Sequence, residues 1–209
     1  MNTSAALKER VLAAAAATPS LTRRQGQRLA GFVVGVSIAT ALAVFEMAGG
    51  LAHSRDRPVA ITVRLADGWA LASAMLTWLV LGRGRSTLAR SPPLLALATL
   101  ATPVLLFLWT QVEGVYVESA ACSAWTCLAT GLAMAAAPLG SFLAVRRGIP
   151  LPRPSTLGGA AGAMCGGWAG VLLLLACPST EARHVIAGHV APLLLTIGAG
   201  AVVGRSVLK

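Results

Sequence analysis

Residues 156–177 read TLGGAAGAMCGGWAGVLLLLAC. The run carries no charge and is long enough for the roughly 20 apolar residues that cross a bilayer core. Gly158, Gly162, Gly166 and Gly170 recur every fourth residue, which sets them on one face of a helix. Small residues at that spacing let helix backbones approach closely inside lipid. The stretch therefore predicts a spanning helix packed through its glycines, with Gly198, Gly200 and Gly204 offering a matching surface on the last helix. No strand is predicted before these glycines, so they are a packing seam and not a nucleotide-binding fingerprint.

The rest of the chain has the same character. It is 56% hydrophobic and 11% charged, with mean hydropathy +0.74. Soluble domains carry about 25% charged residues, so the composition is that of a membrane protein. Helices are predicted at 29–52, 65–82, 92–112, 122–145, 156–177 and 187–208, joined by short loops rich in proline and charge. The expected fold is all-α: a polytopic membrane protein whose residues 29–209 form a bundle of six transmembrane helices, preceded by a short cytoplasmic segment, 1–28. Residues 11–17, VLAAAAA, are too short for a signal-peptide core, and Arg23, Arg24 and Arg28 follow them. The first span is expected to serve as an uncleaved insertion signal.

The net charge of +10 would suit nucleic acid, but its placement does not. Lys and Arg sit at the ends of apolar stretches, not along a face studded with aromatic residues. Of the seventeen, thirteen fall on one side: Lys8, Arg10, Arg23, Arg24, Arg28, Arg83, Arg85, Arg90, Arg146, Arg147, Arg153, Arg205 and Lys209. Arg55, Arg57, Arg64 and Arg183 fall on the other. The positive-inside rule then places both termini in the cytoplasm.

Residues 1–28 differ from the rest. Ser4 suits the cap of a short helix through Leu7, Lys8, Arg10, Val11 and Leu12 that Pro19 ends. Such a helix is marginal alone in water and suits folding onto a partner's groove.

Catalytic signatures are missing: there is no phosphate loop, no His-Glu-x-x-His and no serine with His and Asp arranged around it. The chain does not read as an enzyme. Glu46, about two turns from the outer end of the first predicted span, and Asp67, near the outer end of the second, are the carboxylates inside the spans, and a small transporter or channel using them is the rival reading. The inverted repeat and broken helices of that class are not evident. A redox membrane enzyme lacks a Cys-x-x-Cys.

Four cysteines remain. Cys165 is mid-helix and behaves as a small apolar residue. Cys122 and Cys127 begin the fourth helix and Cys177 closes the fifth, so antiparallel neighbours bring their outer ends together. A disulfide needs Cα atoms within about 7 Å and would persist on the oxidising outer side. The competing chemistry is a zinc-like thiophilic metal held by Cys127, Cys177, His184 and His189, with no resident cofactor otherwise expected. Thiols on one side and a basic face on the other suit carrying a signal across the bilayer, with no small-molecule substrate.

One group of motifs carries a family resemblance. Cys127-Leu128, Arg146-Arg147-Gly148-Ile149-Pro150, the small-residue helix, Cys177-Pro178, and the ending Gly200-x-x-x-Gly204-Arg205-x-x-Leu208 resemble the NrsF-like negative regulators of sigma factor. The resemblance covers about 120–209 in motifs and the first half in layout only. It implies a six-helix inner-membrane anti-sigma factor that holds an extracytoplasmic-function (ECF) sigma factor on its cytoplasmic side, partly through the N-terminal segment. It also implies that the outward cysteines matching Cys127 and Cys177 govern release under oxidative, light-generated singlet-oxygen or metal stress. This chain departs from the pattern in Cys122, an extra outer thiol that leaves the partner of Cys177 open. It departs again in His184 and His189, where relatives carry aromatic residues.

Overall fold

The computed structural model describes residues 9, 23–47, 49, 58–81, 92–114, 122–146 and 153–207. The described residues are helical and contain no strand. The long helices are α1 (Arg23–Met47), α2 (Val59–Leu81), α3 (Pro92–Glu113), α4 (Ala124–Val145) and α5 (Pro154–Ala176). The sixth, α6 (Ala182–Val207), is interrupted by a π turn at Ile186–Val190. Five of them, α2 to α6, are long and apolar enough to cross a membrane, while α1 contributes the shorter apolar length Gly35–Met47. The chain divides between Val33 and Val34. In the first unit Glu9 and residues 23–33 are described and helical. The second unit, Val34–Lys209, holds the remainder of α1 and all of α2 to α6.

The helix ends of this second unit obey local chemistry. Gly49, at φ 101°, takes the left-handed turn that stops α1, and its N–H bonds Glu46 O at 3.0 Å. That ends α1 at Met47, short of the expected 52. Val59 begins α2 directly after Pro58, six residues before the hydropathy boundary, so Arg64 and Asp67 are helical. Ser123 caps α4, its Oγ accepting the Trp125 N–H at 3.3 Å. Pro154 opens α5 at its first turn. Pro178 pushes Cys177 into extended backbone (φ −102°, ψ 120°), and this ends α5.

Helix α5 is the centre of the bundle. Its span is 78% buried, against 28% for α3 and α4. The glycine stripe explains why. Gly158 lies against the Gly200 carbonyl, and Gly162 against the Thr196 carbonyl, so α5 and α6 meet backbone to backbone. Gly166 meets Leu193 and Thr196 of α6. Gly170 is turned to α2, where it receives the Trp69 ring, and Gly167 faces Ser73. The expected partner surface needs one correction. Gly200 and Gly204 belong to it, but a Cβ at Gly198 would meet nothing within 4 Å, because that residue lies on the outer side of α6.

Several buried hydroxyls inside the bundle are satisfied within their own helix. Thr99 and Thr102 donate to the carbonyls of Leu95 and Ala98, each at 2.7 Å. Bonds between helices include Ser37 to Ser141 at 2.9 Å, Trp69 Nε1 to Thr110 Oγ1 at 3.0 Å, Trp109 Nε1 to the Arg64 carbonyl at 3.3 Å, and Trp168 Nε1 to Thr77 Oγ1 at 3.0 Å. Trp69→Phe keeps a ring on Gly170 and removes the donor. It is expected to cost about 0.6–1.7 kcal/mol, the range for bonds between helices in lipid, read as a shift in a detergent unfolding titration. Meanwhile Leu71, Leu97, Leu100, Leu105, Val112 and Val202 are exposed on outward faces. Apolar area of that extent suits contact with lipid or with another apolar surface.

Candidate functional site

Alternating helix direction gathers the start of α2, the end of α3, the start of α4, the end of α5 and the start of α6 at one end. Arg64 reaches Glu113 at 3.6 Å there, and Gln111 donates to the Thr180 carbonyl at 3.5 Å. Arg146, Arg153 and Arg205 mark the opposite end, where a Cβ on Gly204 would lie 2.7 Å from the Pro154 carbonyl oxygen. At about 1.5 Å per residue, a helix of 23 residues such as α5 separates the two ends by roughly 35 Å.

Cys122, Cys127, Cys177 and His184 converge at the first end. Their ligand atoms all lie within 4.8 Å of one another. Each arrives for a local reason. Cys122 precedes the Ser123 cap and folds back, so that its sulfur stands 3.1 Å from that of Cys127 in the first turn of α4. That is a hydrogen-bond contact, in which either thiol can donate. Cys177, turned out of the helix by Pro178, meets His184 Nε2 at 3.2 Å. His184 is on α6 because that helix begins at Ala182 instead of the expected 187. Gly188 allows the approach: a Cβ there would lie 3.0 Å from Cys127 Cβ and 3.4 Å from His184 Nε2.

His189, grouped with these ligands on sequence, is not among the four. It is buried behind His184, ring centroids 5.5 Å apart and tilted by 58°. The π turn produces this placement. It closes through the Ala191 N–H to the Ile186 carbonyl and brings residues five apart near one another. Nothing in the sequence marks that turn. Cys122 is the ligand that sequence reading placed only among the sensing thiols. The signal available for it was its position just before a capping serine.

Cys127, Cys177 and His184 are buried, and Cys122 is the partly exposed edge. The Cys122 thiol is held well below the ordinary thiol range, first by its hydrogen bond to Cys127, then by Cys177 and His184. Such a cluster can be oxidised or can hold a thiophilic metal. A Cys–His pair can also be a nucleophile and base, but Cys177 is 1% exposed and closed to a substrate.

The other expected residues are elsewhere. Cys165 is buried midway along α5. Glu46 is exposed in the last turn of α1, nearer the helix end than expected, and Asp67 is exposed on α2. Arg146 caps α4 and stacks on Phe142, 5.6 Å from the ring centroid. Leu7, Lys8, Arg10, Val11 and Leu12, proposed for partner binding, lie outside the described residues, as do Arg83, Arg85 and Arg147.

The arrangement defines a helical protein with five helices long and apolar enough to cross a membrane and a thiol–imidazole cluster at one end. The chain belongs to the NrsF family, negative regulator of sigma F, whose family model matches residues 12–209. The match runs through the first half, where only the layout was legible. No curated protein and no solved structure matches the chain. The family is one of regulators, not enzymes, and a negative regulator of sigma F has a sigma factor as its partner.

Proposed function

We propose that this protein is an anti-sigma factor of the bacterial inner membrane that sequesters an ECF sigma factor and releases it under oxidative, singlet-oxygen or metal stress. Family membership over residues 12–209 carries the reading. The five long apolar helices, the shorter apolar length of α1 and the exposed apolar faces support residence in lipid as a bundle of six spans. The excess of Lys and Arg supports cytoplasmic termini, and so an outward thiol end. Leu7, Lys8, Arg10, Val11 and Leu12 contact the sigma factor, assisted by Arg83, Arg85, Arg146 and Arg147. Cys127 and Cys177, with Cys122 beside them, receive the signal. For release to occur, the stimulus must favour one of two packings of α4 to α6 over the other.

The test is co-purification. The full chain, extracted from membranes with its ECF sigma factor co-expressed, is expected to retain that partner. Leu7→Ser/Val11→Ser/Leu12→Ser leaves every predicted span intact and is expected to cut retention by about tenfold or more, since each 1.4 kcal/mol of lost contact is a factor of ten. A full chain that retains no sigma factor removes the function. A triple variant that retains it undiminished moves the contact to the arginine-bearing loops.

A further inference from the structure

We propose that Cys122, Cys127, Cys177 and His184 form a closed four-coordinate site for Zn(II). The site goes beyond the sigma-factor reading and does not depend on it. Its argument is the donor geometry. All four ligand atoms are mutually within 4.8 Å, and two of the separations are 3.1 and 3.2 Å. Tetrahedral zinc, with Zn–S near 2.3 Å and Zn–N near 2.0–2.1 Å, holds its donors about 3.4–3.8 Å apart. Shifts of about half an ångström per donor bring these atoms to that spacing. Three cysteines and one histidine are one of the donor sets that structural zinc uses, and sulfur excludes the hard cations magnesium and calcium.

The surroundings fit the same assignment. His184 already turns Nε2 towards the Cys177 sulfur, and the ring of His189 packs behind it. Three thiols and an imidazole converge where Cys127, Cys177 and His184 are buried. Thiolates in such a place are costly alone, and a divalent cation offsets that cost while each coordinating thiol gives its proton to water. The donors come from three segments: the approach and first turn of α4, the residue that follows α5, and the first turn of α6. A bound ion therefore ties three helix ends together without any covalent bond between them. Cys122, at the partly exposed edge, is the donor nearest an arriving ion.

The test uses the full chain purified in detergent, with Co(II) as the spectroscopic probe. The wild type is expected to bind about one Co(II) per chain, with thiolate-to-metal charge-transfer absorption and the ligand-field bands of a tetrahedral ion, both erased by Zn(II). Cys122→Ser and His184→Asn are each expected to weaken binding by about tenfold or more and to move the bands. Cys165→Ser and His189→Asn are expected to keep the stoichiometry and the tetrahedral bands. A wild-type chain that is helical by circular dichroism yet shows no charge-transfer band overturns the site. So does a Cys165→Ser variant that loses the ion, or a His184→Asn variant with the wild-type spectrum. Sigma-factor retention measured on the same preparations separates the two readings. Cobalt bound without the sigma factor supports the site and sinks the function. The sigma factor retained by a folded chain without cobalt does the reverse.

Discussion

Gly162→Val is expected to prevent the bundle from assembling. A Cβ at this position falls against the carbonyl of Thr196, with the Thr196 carbonyl carbon at 2.6 Å and Ile197 Cα at 2.9 Å. These are backbone atoms of α6, so no side chain can rotate out of the way. Relief requires the two helices to separate, which opens the backbone-to-backbone contact of α5 and α6. Overpacking a core costs about 1–3 kcal/mol even where neighbours can adjust. Here the cost is expected at or above the top of that range, against a net stability of about 5–15 kcal/mol for a folded domain. The measurement is the monodisperse fraction after extraction, with the midpoint of detergent unfolding. Gly198→Ala is the matched control, because nothing lies within 4 Å of the added carbon. Replacing a helical glycine in open space with alanine favours the helix by about 1 kcal/mol. Equal behaviour of the two variants would show that the α5–α6 seam does not hold the fold.

The second large effect concerns signalling. Cys127→Ser/Cys177→Ser is expected to abolish stress-induced release while leaving the resting hold on the sigma factor intact. Moving a two-state system from about 1:99 to 99:1 takes roughly 5.5 kcal/mol of differential interaction. A disulfide supplies about 2–4 kcal/mol, and metal coordination by thiolates supplies more. Serine provides neither, since its hydroxyl forms no disulfide and is a poor ligand for a soft cation. The readout is a reporter driven by the ECF sigma factor, in unstressed cells and after peroxide, photosensitiser or cadmium. The induction ratio should fall to about one in the double variant, because no differential interaction remains. Cys165→Ser, midway along α5 and far from the cluster, should respond as the wild type does. Undiminished induction in the double variant would take both thiols out of the mechanism.

Much of this architecture was legible because lipid imposes a strong pattern. The uncharged runs located the helices, and the four-residue glycine spacing identified α5 as the packing helix before any contact was known. What remained illegible lies at helix ends and in backbone register. Hydropathy finds the apolar part of a helix, not its last turns. Arg64, Arg183 and His184 therefore read as loop residues, yet all are helical. The metal-type ligand set changed for the same reason. With α6 taken to begin at 187, His184 and His189 looked equivalent. The earlier start and the π turn separate one at the cluster from one behind it. Gly198 was misassigned because residues two apart in an α-helix, such as Gly198 and Gly200, point about 200° apart and cannot share one face. By contrast, Cys177-Pro178 carried its structure openly, since proline dictates the extended backbone that turns the thiol out of its helix.

The seam between α5 and α6 has a mechanical corollary. Where Gly158 and Gly162 lie directly on carbonyls, no side-chain torsions are interposed to soak up a small displacement. Sliding by one or two residues would drive alanine methyls into peptide groups. The next position that fits is a full glycine repeat away, about 6 Å along the axis at 1.5 Å per residue. The pair is thus built like a ratchet with widely spaced teeth. A tug on the turn at Cys177 is either resisted outright or passed undiminished to Pro154, at the far end of the same rod.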